Sequence, residues 1–196
     1  MTRAAAGTEQ RLVLEIPDAA GARLIELELN AGRIYHAIVG SPAAGDTLIE
    51  QTVNTSIAAI VPADGGLIGN LKVWENLVLP AAYHAAPRYS ELEQRAACIF
   101  AELGIGGERC ESICRLLPDH LDRFERRLAA FVRAMLSEPE IIVYDSPFEG
   151  LSRAQIGEVL RFDGVYHRSF PLGTSLFVTP DLPHLPDMGA HRVFHP

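Results

Sequence analysis

Disulfide chemistry has little to work with in this chain: three cysteines in 196 residues, an odd number, and no C-x-x-C pair. A disulfide framework is excluded, and reduced thiols in a cytoplasmic protein are expected. Cys110 and Cys114 stand four residues apart without a neighbouring C-x-x-C or H-x-x-x-H partner, so they read as small apolar residues rather than a metal pair. Positive charge is also short. Seventeen Lys and Arg against 25 Asp and Glu leave a formal charge of −8, which argues against a general nucleic-acid binder or a binder of anionic lipid surfaces. No apolar run approaches the roughly 18 residues of a membrane span, and the first residues, Met1 to Gly7, lack the apolar core of a secretory signal. Direct membrane insertion is therefore not expected. The seven histidines are scattered; His184, His191 and His195 crowd one end without supporting carboxylates, so no metal or catalytic role is assigned to them. There is no internal repeat and no low-complexity linker. With 48% of residues apolar, one globular domain with a substantial core is expected.

Apolar and polar residues alternate over Leu12–Ile16 and Leu24–Leu29, the pattern of strands with one buried face. Asn30-Ala31-Gly32 makes a turn, and Ile34–Val39 follows as a strand. Ile57–Val61, Ile141–Asp145 and Ser175–Thr179 read as buried strands. Between them lie helical stretches: one beginning at Val73 that Pro80 is expected to interrupt, one over Ser90–Leu103 with Ser90 as N-cap and Gly104 beyond its end, and one from Asp122 to Ser137. Buried strands interleaved with helices imply an α/β fold with a largely parallel sheet and an antiparallel portion at the N-terminal side.

The strand at Ile34–Val39 runs into Gly40-Ser41-Pro42-Ala43-Ala44-Gly45-Asp46-Thr47. This fits the phosphate-loop pattern G-x-x-x-x-G-K-S/T at every fixed position but one: Asp46 stands where the lysine should be. In such a loop the main-chain amides cradle phosphates, the lysine reaches the outer ones and the hydroxyl holds Mg²⁺. An aspartate reverses the sign at that point, and like charges ~4 Å apart cost about 1 kcal/mol in water and about 4 at an effective dielectric of 20. A short helix is expected to start near Thr47, with Thr47 as its N-cap.

Five stretches, in the right order along nearly the whole chain, resemble the ATPase subunit of ABC transporters. Gly32–Gly40 resembles the strand into Walker A. Ile60–Pro80 resembles the Q-loop and the start of the helical subdomain, and Leu117–Arg127 sits where the signature motif would be. Ile141–Leu151 resembles Walker B running into the D-loop, and Val178-Thr-Pro-Asp181 stands at the switch region. The Gly-Gly-Leu and Glu-Asn-Leu segments are similar to ATPases of Mla and MCE lipid transport. The resemblance implies a P-loop NTPase-like fold with a helical subdomain over approximately 73–137.

The same alignment marks departures. The Walker A lysine is Asp46, a loop glycine is Ala43, and the Q-loop glutamine is Ala63. The signature Ser-Gly-Gly is Asp122-Arg123-Phe124. The glutamate after Walker B, the general base in the family, is Ser146; the D-loop aspartate is Ser152 and the switch histidine is Pro180. No aromatic residue in 12–32 is placed to stack on adenine. The segment from Thr47 to Ala63 is short, so the β arm after the first helix is mostly missing. Thr47 and Asp145 alone survive as potential Mg²⁺ contacts, and Asp145 reads as a strand-end cap or loop organiser in preference to a metal ligand.

On this resemblance the chain is expected to be a catalytically inactive ABC-ATPase-like subunit with no catalytic residue, no metal and no cofactor. ATP with Mg²⁺ would bind only if the chain is instead a nucleotide sensor without hydrolysis or a divergent active NTPase. In the family the Q-loop and helical subdomain receive a coupling helix of the membrane permease. The corresponding docking residues here are Gly65, Gly66, Leu67, Ile68, Asn70, Leu71 and Trp74, and Trp74 also reads as a core anchor. A permease subunit or a catalytic ABC ATPase is the expected partner, a hetero-oligomer is preferred over a homodimer, and the location is the inner face of the cytoplasmic membrane through that partner. Arg123, Arg126, Arg127 and Arg133 read as a solvated helical face, with phosphate or carboxylate binding as the other reading.

Overall fold

The computed structural model describes residues 11–17, 24–85, 88–180 and 192–194. Strands β1 (Arg11–Pro17) and β2 (Leu24–Asn30) form an antiparallel pair with Leu14 opposite Leu27. Their alternation places Leu14, Leu27 and Leu29 in an apolar cluster with Tyr35, Ala37 and Leu48.

The main sheet contains β3 (Ile34–Val39), β4 (Ala58–Val61), β5 (Ile141–Asp145), β6 (Thr174–Pro180) and β7 (Arg192–Phe194). Its order is β4-β5-β6-β3-β7, and every pairing is parallel. The inner strands are covered on both faces, which is why β5 and β6 carry near-continuous apolar runs instead of alternation. Tyr144 of β5 stacks on Phe177 of β6 at 4.5 Å between ring centroids.

Helix α1 (Pro42–Val53) follows β3 directly. Helices α2 (Val73–Ala85), α3 (Tyr89–Glu102), α4 (Gly107–Arg115), α5 (Arg123–Leu136) and α6 (Arg153–Ser169) contribute to a second apolar cluster that also takes in Ile142, Tyr144 and Phe177 of the sheet. Among the described residues no helix is long and apolar enough to cross a membrane. Cys110 and Cys114 are half-buried on α4 against this cluster, and burial pushes the Cys114 thiol up to about 12.

Three local expectations are corrected. Pro80 does not interrupt its helix: α2 runs through it to Ala85. An internal proline costs about 3 kcal/mol, but α2 buries Val73, Leu77, Val78 and Ala81, and each larger apolar side chain returns about 1.5–3 kcal/mol. The N-cap of α3 is Arg88, not Ser90, and its side chain makes no cap hydrogen bond. The N-cap of α1 is Ser41, not Thr47. The helix read from Asp122 to Ser137 is α5, with Asp122 as its N-cap in a reciprocal box with Glu125 and Ser137 as its C-cap.

Candidate functional site

The carboxyl ends of β3, β4 and β5 bring the loop motif, Asp64 and Asp145 into one neighbourhood. The motif is not a loop here. Gly40 is exposed at the end of β3, Ser41 is the N-cap, and helix begins at Pro42. Pro42 has no N–H to offer. The Ala44 amide goes to Ser41 Oγ at 3.3 Å and the Gly45 amide to the Ser41 carbonyl at 3.3 Å. The Ala44 and Gly45 amides are thus drawn into cap and helix. Thr47 Oγ1 donates to the Ala43 carbonyl at 2.9 Å, a back-bond within the helix. Ala43 does not adopt positive φ, so the strain expected for an alanine in a left-handed loop position does not arise. Gly45 keeps a packing role: a Cβ there would lie 3.3 Å from Val39 Cγ2 and 3.6 Å from Val178 Cγ1, so glycine lets α1 lie close on the sheet.

Asp46 is exposed on α1 and acts on Asp145, which is half-buried at the end of β5. Burial raises the Asp145 carboxyl above the ordinary range; a hydrogen bond from Ser146 pulls it down, and the charges of Asp46 and then Asp64 push it up again. The charges of Asp46 and Asp64 are of the sign that opposes a further anion beside Asp145. Ser146, next in the chain, has φ +43 and donates its amide to the Val178 carbonyl at 2.8 Å.

The arginines of α5 are not a uniform solvated face. Arg123 is exposed, but Arg127 is 2% exposed and donates to the Glu149 carbonyl at 2.7 Å. Its Nε and Nη1 have no partner among the described residues, and burial pulls its pKa down. Arg126 Nε donates to the Leu121 carbonyl at 3.3 Å. Arg133 donates to the carbonyls of Gly66 at 2.6 Å and Gly65 at 3.1 Å. Ser152 caps α6 through a box with Gln155, and Pro180 closes β6 exposed. Asp181, His184, His191 and His195 lie outside the described residues.

The 65–74 stretch is built with more precision than the motif. Gly65 is buried with φ +88, and a Cβ there would meet Arg126 Cβ and the Arg126 carbonyl at 2.8 Å. Gly66 has φ +53 and donates to Asp64 Oδ1 at 2.8 Å. Asn76, 1% exposed, gives its side-chain amide to the carbonyls of Ile68, Leu71 and Lys72, each at 3.1 Å. Above it Leu67 and Leu71 are half-buried, while Gly69 and Asn70 are exposed and Ile68 is 45% exposed. Trp74 is half-buried: its Nε1 donates to Tyr89 Oη and the rings meet edge-on at 5.5 Å. Asn76 and Tyr89 were not singled out from the sequence; Asn in a helical pattern beside an apolar loop is a weak signal on its own.

No protein-family model matches the chain. The octopine permease ATP-binding protein P of Rhizobium meliloti is 25% identical over 185 residues, 93% of this chain and 65% of that protein. The intermembrane phospholipid transport ATP-binding protein MlaF of Escherichia coli is 24% identical over 127 residues, 65% of this chain and 45% of that protein. A probable ribonucleotide transport ATP-binding protein of Mycobacterium tuberculosis is 28% identical over 88 residues, 45% of this chain and 23% of that relative. The matched stretches thus cover less than two thirds of these relatives. A bacterial ABC transporter cassette solved as a dimer superposes with TM-score 0.68 at 14% identity, covering 88% of each chain. The fold is that of an ABC-transporter ATPase cassette.

The stretches that resemble Walker A, Walker B and the signature fall on β3 with the start of α1, on β5, and on the capped start of α5. A solved cassette from the Clostridium perfringens cbiONQ complex gives TM-score 0.64 at 16% identity over 81% of this chain. The cassette fold puts Asp46, Asp145 and Ser146 at one end of the sheet, as the motif order implies. Residues 40–47 run from the end of β3 into the first turns of α1.

Proposed function

We propose that this chain is a catalytically inactive, ABC-ATPase-like subunit that serves a transport complex of the lipid (Mla or MCE) type as a structural or regulatory partner. The observation that carries this reading is the start of α1 at Pro42 with Asp46 in its second turn. The Ala44 and Gly45 amides are committed to cap and helix, and Asp46 at the lysine position adds its charge to the burial that raises Asp145. Ser146, in place of a glutamate, offers no base at neutral pH. Arg127 gives its Nη2 to the Glu149 carbonyl.

The docking half of the proposal rests on what is kept in order. Residues 65–74 are held from below by Asn76 and Arg133 and leave Ile68 to solvent. A helical subdomain over 73–137 presents them. A membrane permease subunit or a catalytic ABC ATPase is the partner, and the contact is heteromeric.

Calorimetric titration with Mg-ATP and with ADP to millimolar concentration tests the first half. No heat and no thermal stabilisation is the expected result. Micromolar binding would stabilise the fold by mass action and make a nucleotide sensor the better reading. Turnover of ATP abolished by Asp145→Asn would make the chain a divergent NTPase. Co-purification from membranes with a permease or ATPase, lost in Ile68→Asp, tests the second half.

A further inference from the structure

Helix α6 buries Val159, Phe162, Asp163 and Tyr166, at the i, i+3, i+4, i+7 spacing of an apolar face. Asp163 is thus a carboxyl at a position where that face would carry an apolar side chain, and it is 6% exposed. Across the interface it meets Ser175 of β6, which is fully buried and whose Oγ donates to Asp163 Oδ1. His167, one turn along α6 and half-buried, places Nε2 at 2.9 Å from the same Oγ and at 3.7 Å from Asp163 Oδ2. The three side chains tie α6 to the start of β6.

Little else shares the charge. Tyr144 of β5 and Tyr166 of α6 face Asp163. Tyr166 Oη donates to the Glu140 carbonyl at 2.9 Å, and Tyr144 Oη is buried without a hydrogen-bond partner among the described residues. Beside Ser175 the neighbouring strands present Ile34 and Ile142. Arg161 and Arg168 of α6 pair at the surface with Glu158 and Glu102. Among these groups His167 is the one that brings a positive charge to Asp163 when its ring is protonated.

Ser175 has a single hydroxyl proton, so the contacts have two arrangements. With Asp163 ionised, Ser175 donates to it and accepts from Nε2–H of His167. With Asp163 protonated, Asp163 donates to Ser175, and Ser175 donates to a bare Nε2. One added proton neutralises the cluster either way: on the ring it makes an ion pair, on the carboxyl an uncharged chain. Without it a buried carboxylate stands uncompensated, which is costly. Burial raises the Asp163 carboxyl above its ordinary value, while the Ser175 hydroxyl and the His167 ring hold it down.

We propose that Asp163, Ser175 and His167 form a one-proton latch that holds α6 on β6 and loosens as pH rises. A carboxyl raised in the fold favours the folded state while protonated, and that contribution is lost as pH rises from the ordinary carboxylate range through the raised value. The latch uses no residue of 40–47 or 65–74, so it goes beyond the proposed function and stands without it.

Carbon-13 NMR of the Asp163 carboxyl in the full chain, together with amide exchange over a pH series, tests the latch. The carboxyl is expected to titrate above the ordinary range, and His167→Gln to increase its proton affinity by about tenfold. Ser175→Ala, which removes the donor to the carboxylate, is expected to shift it in the same direction. Protection of the α6 amides, corrected for intrinsic exchange, should fall relative to α5 as pH rises through the Asp163 midpoint, and the fall should disappear in Asp163→Asn. Thermal melts confirm that each variant is folded, and if Asp163→Asn fails to fold the two carboxyl titrations carry the test. An Asp163 carboxyl that titrates in the ordinary range, a midpoint unmoved by both His167→Gln and Ser175→Ala, α6 protection independent of pH, or a loss of protection that persists in Asp163→Asn overturns the proposal.

Discussion

Asn76 and Ile68 exchange two hydrogen bonds: the Ile68 amide donates to Asn76 Oδ1 at 2.6 Å, and Asn76 Nδ2 donates to the Ile68 carbonyl at 3.1 Å. A buried side-chain amide thus stands in for a strand neighbour and holds an exposed isoleucine in a fixed place. Asn76→Ala leaves the main-chain groups of this loop without partners and is expected to cost about 2–3 kcal/mol. Urea unfolding measures the loss. Amide exchange at Ile68 should accelerate more than exchange in β5, and an unchanged Ile68 rate would refute the role given to Asn76.

The two glycines of this region should separate. Gly65 has φ +88, and its added Cβ would meet Arg126 backbone and side-chain atoms at 2.8 Å. Gly65→Ala is expected to destabilise by about 2 kcal/mol or more. Gly69 has nothing within 4 Å of an added Cβ, and Gly69→Ala should stay within about 0.5 kcal/mol of wild type. Chemical denaturation of the pair decides it.

Asp46 and Asp145 make a pH prediction. The Asp145 carboxyl is raised in the fold above its ordinary value. Such a group favours the folded state while protonated, and its favourable contribution is lost as pH rises from the ordinary carboxylate range through the raised value. At neutral pH the ionised Asp145 is a liability. Asp145→Asn and Asp46→Asn should therefore each raise stability at pH 7, by about 1 kcal/mol or less given partial solvent screening. The gain should vanish at a pH below the unperturbed carboxylate value. Because each relieves the same repulsion, the double variant should gain less than the sum, and strict additivity in a double-mutant cycle would contradict the coupling.

Charge and geometry at the motif can be told apart by Asp46→Lys. Restoring the lysine removes the repulsion but leaves Pro42 at the helix start and the Ala44 amide on Ser41. The variant is expected to melt higher than wild type at pH 7 and still give no heat with Mg-ATP. Binding of ATP by Asp46→Lys alone would mean that charge, and not the backbone, is what blocks the site.

The order of strands and helices was legible in the sequence because each buried element has a period. Ile34–Val39, Ile141–Asp145 and Ser175–Thr179 are apolar runs of strand length, and the helix read from Asp122 to Ser137 coincides with α5 and its two caps. The order of motifs along the chain also carried the cassette resemblance, since order survives when single residues are exchanged. What the sequence could not place were local boundaries: a proline normally stops a helix, yet α2 passes through Pro80 because the apolar cluster holds it, and α6 was missed because its cap, Ser152, stood in a motif read for chemistry.

Composition by itself determined that this is an acidic protein with too few cysteines for a disulfide framework, and the motif resemblance implies that Asp46 and Ser146 stand where a lysine and a glutamate would. Both follow from residue identity, which needs no neighbour to be known. Whether Gly40–Thr47 is a loop or the start of a helix, and whether Arg127 and Arg133 are solvated or donate to carbonyls, were decided by tertiary structure alone. Each depends on which main-chain groups already have partners, and hydrogen bonds between residues far apart in the chain leave no mark in local sequence.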